Sequence, residues 1–159
     1  MAEHTYAASL RWTGDRGEGT AAYRGYGREH VLSARGKPDI GGSSDPAFRG
    51  DASRWNPEEL LVAALSSCHL LMYLHLCAEA GAVVVGYEDD ASGVMAMAGD
   101  GGGEFTEVTL RPRVTVAEES MIAAAEAQHA RAHELCFIAR SVNFPVRHEP
   151  TVTFGGSSA

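Results

Sequence analysis

Between Leu60 and Ala78 the chain carries no Asp, Glu, Lys or Arg. A run of that length can cross a bilayer or fill the centre of a fold. Ser66, Ser67, His69 and His75 interrupt its apolar character, and Glu58, Glu59 and Glu79 bracket it with no basic flank to set a topology. These features predict a buried central helix rather than a membrane span. Its ends are written in the residues themselves. Asn56 can cap it, Pro57 suits the first helical position, and Glu58 and Glu59 favour the positive end of the helix dipole. Gly81 provides a stop.

The rest of the chain arranges itself around that helix. Tyr6, Ala8, Leu10 and Trp12 alternate with smaller or polar residues and predict a first strand. A glycine-rich turn, Gly14 to Gly19, leads to a second strand over Thr20–Tyr23 and a third over Glu29–Ser33. Residues 36–55 are dominated by Gly, Ser, Asp and Pro and predict a long functional or mobile loop. After the central helix, Val83–Val85 opens a strand, and Gly99 to Gly103 signals a turn between two more. Val108, Leu110, Val114 and Val116 face one way, with Thr109, Arg111, Arg113 and Thr115 opposite; Pro112 suggests an edge. A second helix runs from about Glu118 to His133, and Val142–Phe154 closes the chain as a strand broken by Pro145 and Pro150. Strands, helix, strands, helix, strand is an α+β order. It predicts one domain over 1–159 with a flexible tail at 155–159.

Charge narrows the partners. With 13 basic and 21 acidic residues, the net charge of −8 argues against nucleic acid or an anionic membrane surface. Three cysteines are too few for a secreted disulfide framework, and the first residues lack the pattern of a signal peptide, so a reducing cytoplasm is expected.

Those cysteines carry the chemistry. Cys68 lies inside the uncharged run, and Cys136 ends His129-Ala-Arg-Ala-His133-Glu-Leu-Cys136. A cysteine in apolar surroundings is most often inert filler; one that reacts needs positive charge or hydrogen bonds to hold its thiolate. Arg16, in the glycine-rich turn, can supply such charge, and Arg24 and Arg28 are alternatives. Cys77, nine residues past Cys68, projects to another face of the helix and reads as packing.

Asn56-Pro57-Glu58-Glu59-Leu60 with a cysteine ten residues after Glu58, and Ala132-His133-Glu134-Leu135-Cys136 later, resembles the OsmC/Ohr family of organic hydroperoxide reductases. The resemblance runs from Trp12 to Pro145. It implies an OsmC-like α+β fold in an intertwined homodimer, with sites at the interface and no metal or organic cofactor. It implies that Cys68 is the peroxidatic cysteine, Cys136 the resolving one, and Arg16 and Glu58 the arginine and carboxylate that serve them. Reduction of organic hydroperoxides would pass through a Cys68 sulfenic acid and a Cys68–Cys136 disulfide, recycled by a dithiol such as a lipoyl group. His133 and Phe137 would lie at the substrate pocket. Phe137 also marks a departure, because many relatives have Pro after the second cysteine.

Two other readings compete. His129, His133 and Cys136 stand at i, i+4 and i+7, so on a continuous helix they form a three-ligand set for zinc. A member of the fold could also hold apolar ligands without catalysis.

Overall fold

The computed structural model describes residues 1–156; residues 157–159, part of the expected tail, lie outside the described residues. The chain divides into two compact units, Met1–Leu61 and a second beginning at Val62.

In the first unit, β1 (Ser9–Trp12) pairs antiparallel with β2 (His30–Ser33), which pairs antiparallel with β3 (Ile40–Gly42). The strand expected over Thr20–Tyr23 is absent, and turns occupy it instead. The Asp15 carboxylate accepts hydrogen bonds from the Gly17 and Gly19 amides at 2.8 and 2.9 Å, and both glycines take positive φ. An Asp side chain that bonds its own backbone two residues on competes directly with strand pairing. Further turns follow at Glu18–Ala21 and Ala22–Gly25. The 36–55 segment is also more ordered than its composition suggests. It contains β3 and a short 3-10 helix, Pro46–Phe48, capped by Asp45.

Helix α1 spans Pro57–Glu79 without interruption. The Asn56 side-chain oxygen accepts from the Glu59 amide at 2.7 Å, and the Glu59 carboxylate accepts from the Asn56 amide at 3.4 Å. This reciprocal capping box separates two glutamates that the sequence leaves equivalent. Glu59 belongs to the cap, whereas Glu58 keeps a buried carboxylate oxygen with no hydrogen-bond partner. Burial along α1 follows one stripe, Leu65, His69, Tyr73 and Cys77, while Leu71 and Leu74 are exposed. The helix is therefore buried on one face of this chain and open elsewhere.

The second unit holds two three-stranded sheets. One has the order β4-β7-β9, from β4 (Val84–Asp89), β7 (Pro112–Val116) and β9 (Thr151–Phe154). The other has the order β5-β6-β8, from β5 (Ser92–Met97), β6 (Gly103–Leu110) and β8 (Val146–His148). Each sheet combines an antiparallel pair with a parallel one. Of the alternation read across Val108–Val116, the apolar face holds, with Val108, Leu110, Val114 and Val116 at 1% exposure or less, but Thr109 on the opposite face is buried as well. The alternation serves two strands, however, because the chain passes from one sheet to the other at Arg111. Pro112 marks that passage, not an edge. As the first residue of central strand β7 it surrenders no ladder bond from mid-strand. The closing segment behaves the same way: β8 joins one sheet and β9 the other, with Pro150 between them.

Helix α2 spans Ile122–Leu135, preceded by a 3-10 turn over Glu119–Met121. Ala125, His129 and Ala132 are its buried residues. Two apolar clusters result. One joins Tyr73 and Cys77 to Val114, Val116, Ala125 and Ala132. The other joins Leu65 to Val108, Leu110 and Val146. Two helices on mixed sheets make the α+β architecture that the sequence predicts.

The capping box gives a direct test. Asn56→Ala removes the acceptor for the Glu59 amide and is expected to cost about 1 kcal/mol of stability. Urea unfolding followed by circular dichroism reads this as a lower midpoint with unchanged slope. Glu58→Ala leaves the cap intact and should cost less.

Candidate active site

Cys68 is half-buried on the α1 face next to the buried stripe, and Cys136 is buried immediately after α2. The two thiols meet. Burial and a hydrogen bond with Cys68 push the Cys136 thiol up to about 11, while the Ala139 amide, donating to its sulfur at 3.5 Å, works in the opposite direction. Cys136 therefore keeps its proton at neutral pH, and Cys68 is the sulfur that solvent reaches. All three cysteines are free thiols. Cys77 is buried, and desolvation raises its pKa, which suits the packing role read from its position.

A cleft of about 190 Å³ opens on Cys68, lined by Leu71, Met72, His75 and Phe137. Phe137 stands where a pocket residue was expected, and it is largely exposed. Leu71, Met72 and His75 were not among the residues singled out from the sequence. Their signal was available, because i+3, i+4 and i+7 from Cys68 share one helix face. His75 lies 3.5 Å from the Glu79 carboxylate at the rim.

His133 is elsewhere. It does not line the cleft; its ring packs at 5.4 Å from that of His148 on β8. This places it in a histidine cluster that the sequence did not reveal. His69 Nε2 and His129 Nδ1 share a hydrogen bond of 3.1 Å, and their rings lie nearly parallel. His148 lies 5.9 Å from His69 between ring centres, and Tyr73 stacks on His129 at 4.0 Å. Burial, then the neighbouring His148, holds His69 down at about 4, with Asp89 opposing. Burial, then His69 and His148, holds His129 down at about 3. His129 Nε2 is buried with no hydrogen-bond partner.

That arrangement changes the zinc reading. α2 ends at Leu135, so Cys136 continues in extended conformation and leaves the face shared by His129 and His133. His129 turns to His69 instead. Among the described residues no group of three His, Cys, Asp or Glu side chains is arranged to hold a metal ion.

Arg16 and Glu58 both belong to the first unit. The acidic neighbour of Arg16 is Glu29, at 3.9 Å, and no ion pair joins Arg16 to Glu58 among the described residues. The Arg16 side chain is 64% exposed and so is free to turn. Arg28 is committed. Its guanidinium donates to the Tyr26 and Tyr23 carbonyls and stacks over both rings, at 4.0 Å from the Tyr26 ring centre.

Comparison with known proteins supplies the remaining context. The family described as OsmC-like protein matches residues 50–151. A solved OsmC-like protein of unknown function from Vibrio cholerae is 34% identical, with 95% of this chain and 100% of that chain covered at a TM-score of 0.82. An organic hydroperoxide resistance protein from Elizabethkingia anophelis is 17% identical, over 97% of this chain and 100% of that one, at a TM-score of 0.66. Another, from Legionella pneumophila, is 15% identical over 95% and 99%, at 0.61. At these two lower identities the likeness concerns the fold alone. No curated protein matches. With more than half of its length matched by the family and a solved relative above 30% identity, the chain belongs to the OsmC-like proteins.

Proposed function

We propose that the protein is a thiol peroxidase that reduces organic hydroperoxides. The observation that carries this reading is the proximity of Cys68 to the buried Cys136, beneath a cleft lined by Cys68 and not by Cys136. In the first step the Cys68 thiolate attacks the outer oxygen of ROOH. The O–O bond breaks, RO⁻ takes a proton and leaves as ROH, and Cys68 becomes a sulfenic acid. In the second step the Cys136 sulfur attacks Cys68, the S–O bond breaks, and the Cys136 proton leaves with the hydroxyl as water. The disulfide forms before further oxidation to sulfinic acid can compete. A dithiol, such as a lipoyl group on a cytoplasmic partner protein, then takes the two oxidising equivalents and restores both thiols.

Leu71, Met72 and Phe137 give the cleft apolar walls, which favour a peroxide with an organic tail. Arg16 supplies the guanidinium that steadies thiolate and peroxide oxygen, with Glu58 as its orienting carboxylate. Its loose contact with Glu29 leaves it available for that role, as Arg28 is not.

The test is peroxide consumption by purified protein with a dithiol reductant. Wild type should turn over cumene hydroperoxide at least roughly tenfold better in kcat/KM than hydrogen peroxide, since each buried methylene contributes about 0.8 kcal/mol. Cys68→Ser should abolish turnover. Cys136→Ser should end in Cys68 sulfinic acid, read by mass spectrometry. Binding of cumene hydroperoxide without consumption would instead support an apolar-ligand carrier.

A homodimer completes the proposal. Glu58 and Cys68 are ten residues apart on one unbroken helix, about 15 Å along its axis. A glutamate side chain does not close that distance, so a two-fold partner is the natural source of the second residue. Co-expression of Cys68→Ser with Glu58→Ala subunits should then restore activity in the heterodimer, where one intact site remains. No recovery in verified heterodimers, with Glu58→Ala alone impaired, would place the pair in a single chain.

A further inference from the structure

The histidine cluster takes no part in the chemistry above, yet it sits between α1, which carries Cys68, and α2, which Cys136 directly follows. His69 directly follows Cys68 on α1, and His129 lies two turns before Cys136 on α2. Their 3.1 Å contact is the one polar tie between the buried faces of these helices among the described residues. It needs at least one neutral ring to accept, because two protonated rings would present a donor from each side. We propose that the cluster is an acid-released latch: His69 and His129, with at least one ring neutral, tie α1 to α2 and keep Cys136 closed against Cys68, and protonation of both rings parts them and opens Cys136 to solvent.

The surroundings offer little to absorb a charge. From α1 the pair meets Tyr73, with Cys77 beyond it; from α2, His133, with Glu126 acting on Tyr73; from β8, His148; and from β4, Tyr87 and Asp89. Asp89 is the anion that acts on His69, but its two oxygens already accept from the Ser66 hydroxyl and the Arg111 amide. The face of Tyr73 could accommodate one cation on His129. An imidazolium, however, needs acceptors for both N–H groups, and His129 Nε2 has none.

The sign follows from the depressed histidines. Both titrate lower in the folded chain than the ordinary value of 6.5, so their contribution to the closed state is complete above pH 6.5. It is lost as the pH falls through 6.5 towards 4 and 3.

The experiment reads the accessibility of each thiol from pH 7.5 to 4.5, using 4,4′-dithiodipyridine, which reacts in acid, and locating labels by mass spectrometry. Rates are normalised to an unstructured cysteine peptide. Cys136 should become at least roughly tenfold more reactive between pH 6.5 and 5.0, because each titrating group gives up to tenfold per pH unit. Cys77, buried in the apolar cluster, should stay protected. His129→Phe keeps the stack on Tyr73 but removes the tie and one titrating ring, so Cys136 should already be more reactive than in wild type at pH 7.5 and its rise in acid should be shallower. His69→Gln serves as a second variant if His129→Phe impairs folding, which loss of Cys77 protection at pH 7.5 would reveal. A flat Cys136 profile in wild type overturns the proposal. So does a rise shared equally by Cys77, which would be global unfolding, or a Cys136 profile in a folded variant that is the same as in wild type. Because accessibility is measured without any peroxide, failure here leaves the peroxidase reading intact, and the converse also holds.

Discussion

The stripe Leu65, His69, Tyr73, Cys77 along α1 is the contact on which the second unit depends. Residues spaced by four on a 3.6-residue helix drift slowly around the axis, so the stripe winds and meets different neighbours along its length. Leu65 meets the β6 and β8 valines, and Tyr73 and Cys77 meet β7 and the small residues of α2. Small residues matter here. Ala125 and Ala132 on α2 are fully buried, which lets the backbone come close enough for His129 to reach across to His69. The same closeness brings the chain after Leu135 back over Cys68. Position of the dithiol is thus a consequence of helix packing and not of any local cysteine motif.

The helix, its cap and the strand faces were legible because each rests on local rules. Asn56, Pro57 and Glu59 act within one turn, and the alternation through Val108–Val116 needs only the pleat. What escaped was decided by competition or by tertiary contact. Thr20–Tyr23 has strand propensity, but Asp15 and the two positive-φ glycines claim the backbone for turns. The resemblance implies a pocket position for His133, whereas the end of α2 at Leu135 turns His133 and Cys136 in different directions. His148 lies in a segment that two prolines mark as irregular, and nothing local announces that a parallel strand will bring it onto His69.

The candidate site was legible in the same uneven way. The pair Cys68 and Cys136 comes from the resemblance, and their proximity follows from packing that no window of sequence describes. The cleft walls at Leu71, Met72 and His75 could have been derived from helical spacing alone. Glu58 and Glu59 could not be told apart by residue type, since either satisfies the dipole. The capping hydrogen bonds separate them and leave Glu58 with an unpartnered buried oxygen.

That unpartnered oxygen and the exposed side of α1 pose one physical problem. A buried carboxylate oxygen without a donor is costly, and an apolar helix with Leu71 and Leu74 open to water leaves hydrophobic area unburied. A cation brought to Glu58 would answer the first cost, and a second copy of the helix would answer the second. Arg16 is a cation held only loosely, at 3.9 Å from Glu29. A two-fold assembly that covers α1 would relieve both costs at once, and this is the physical argument for the proposed homodimer.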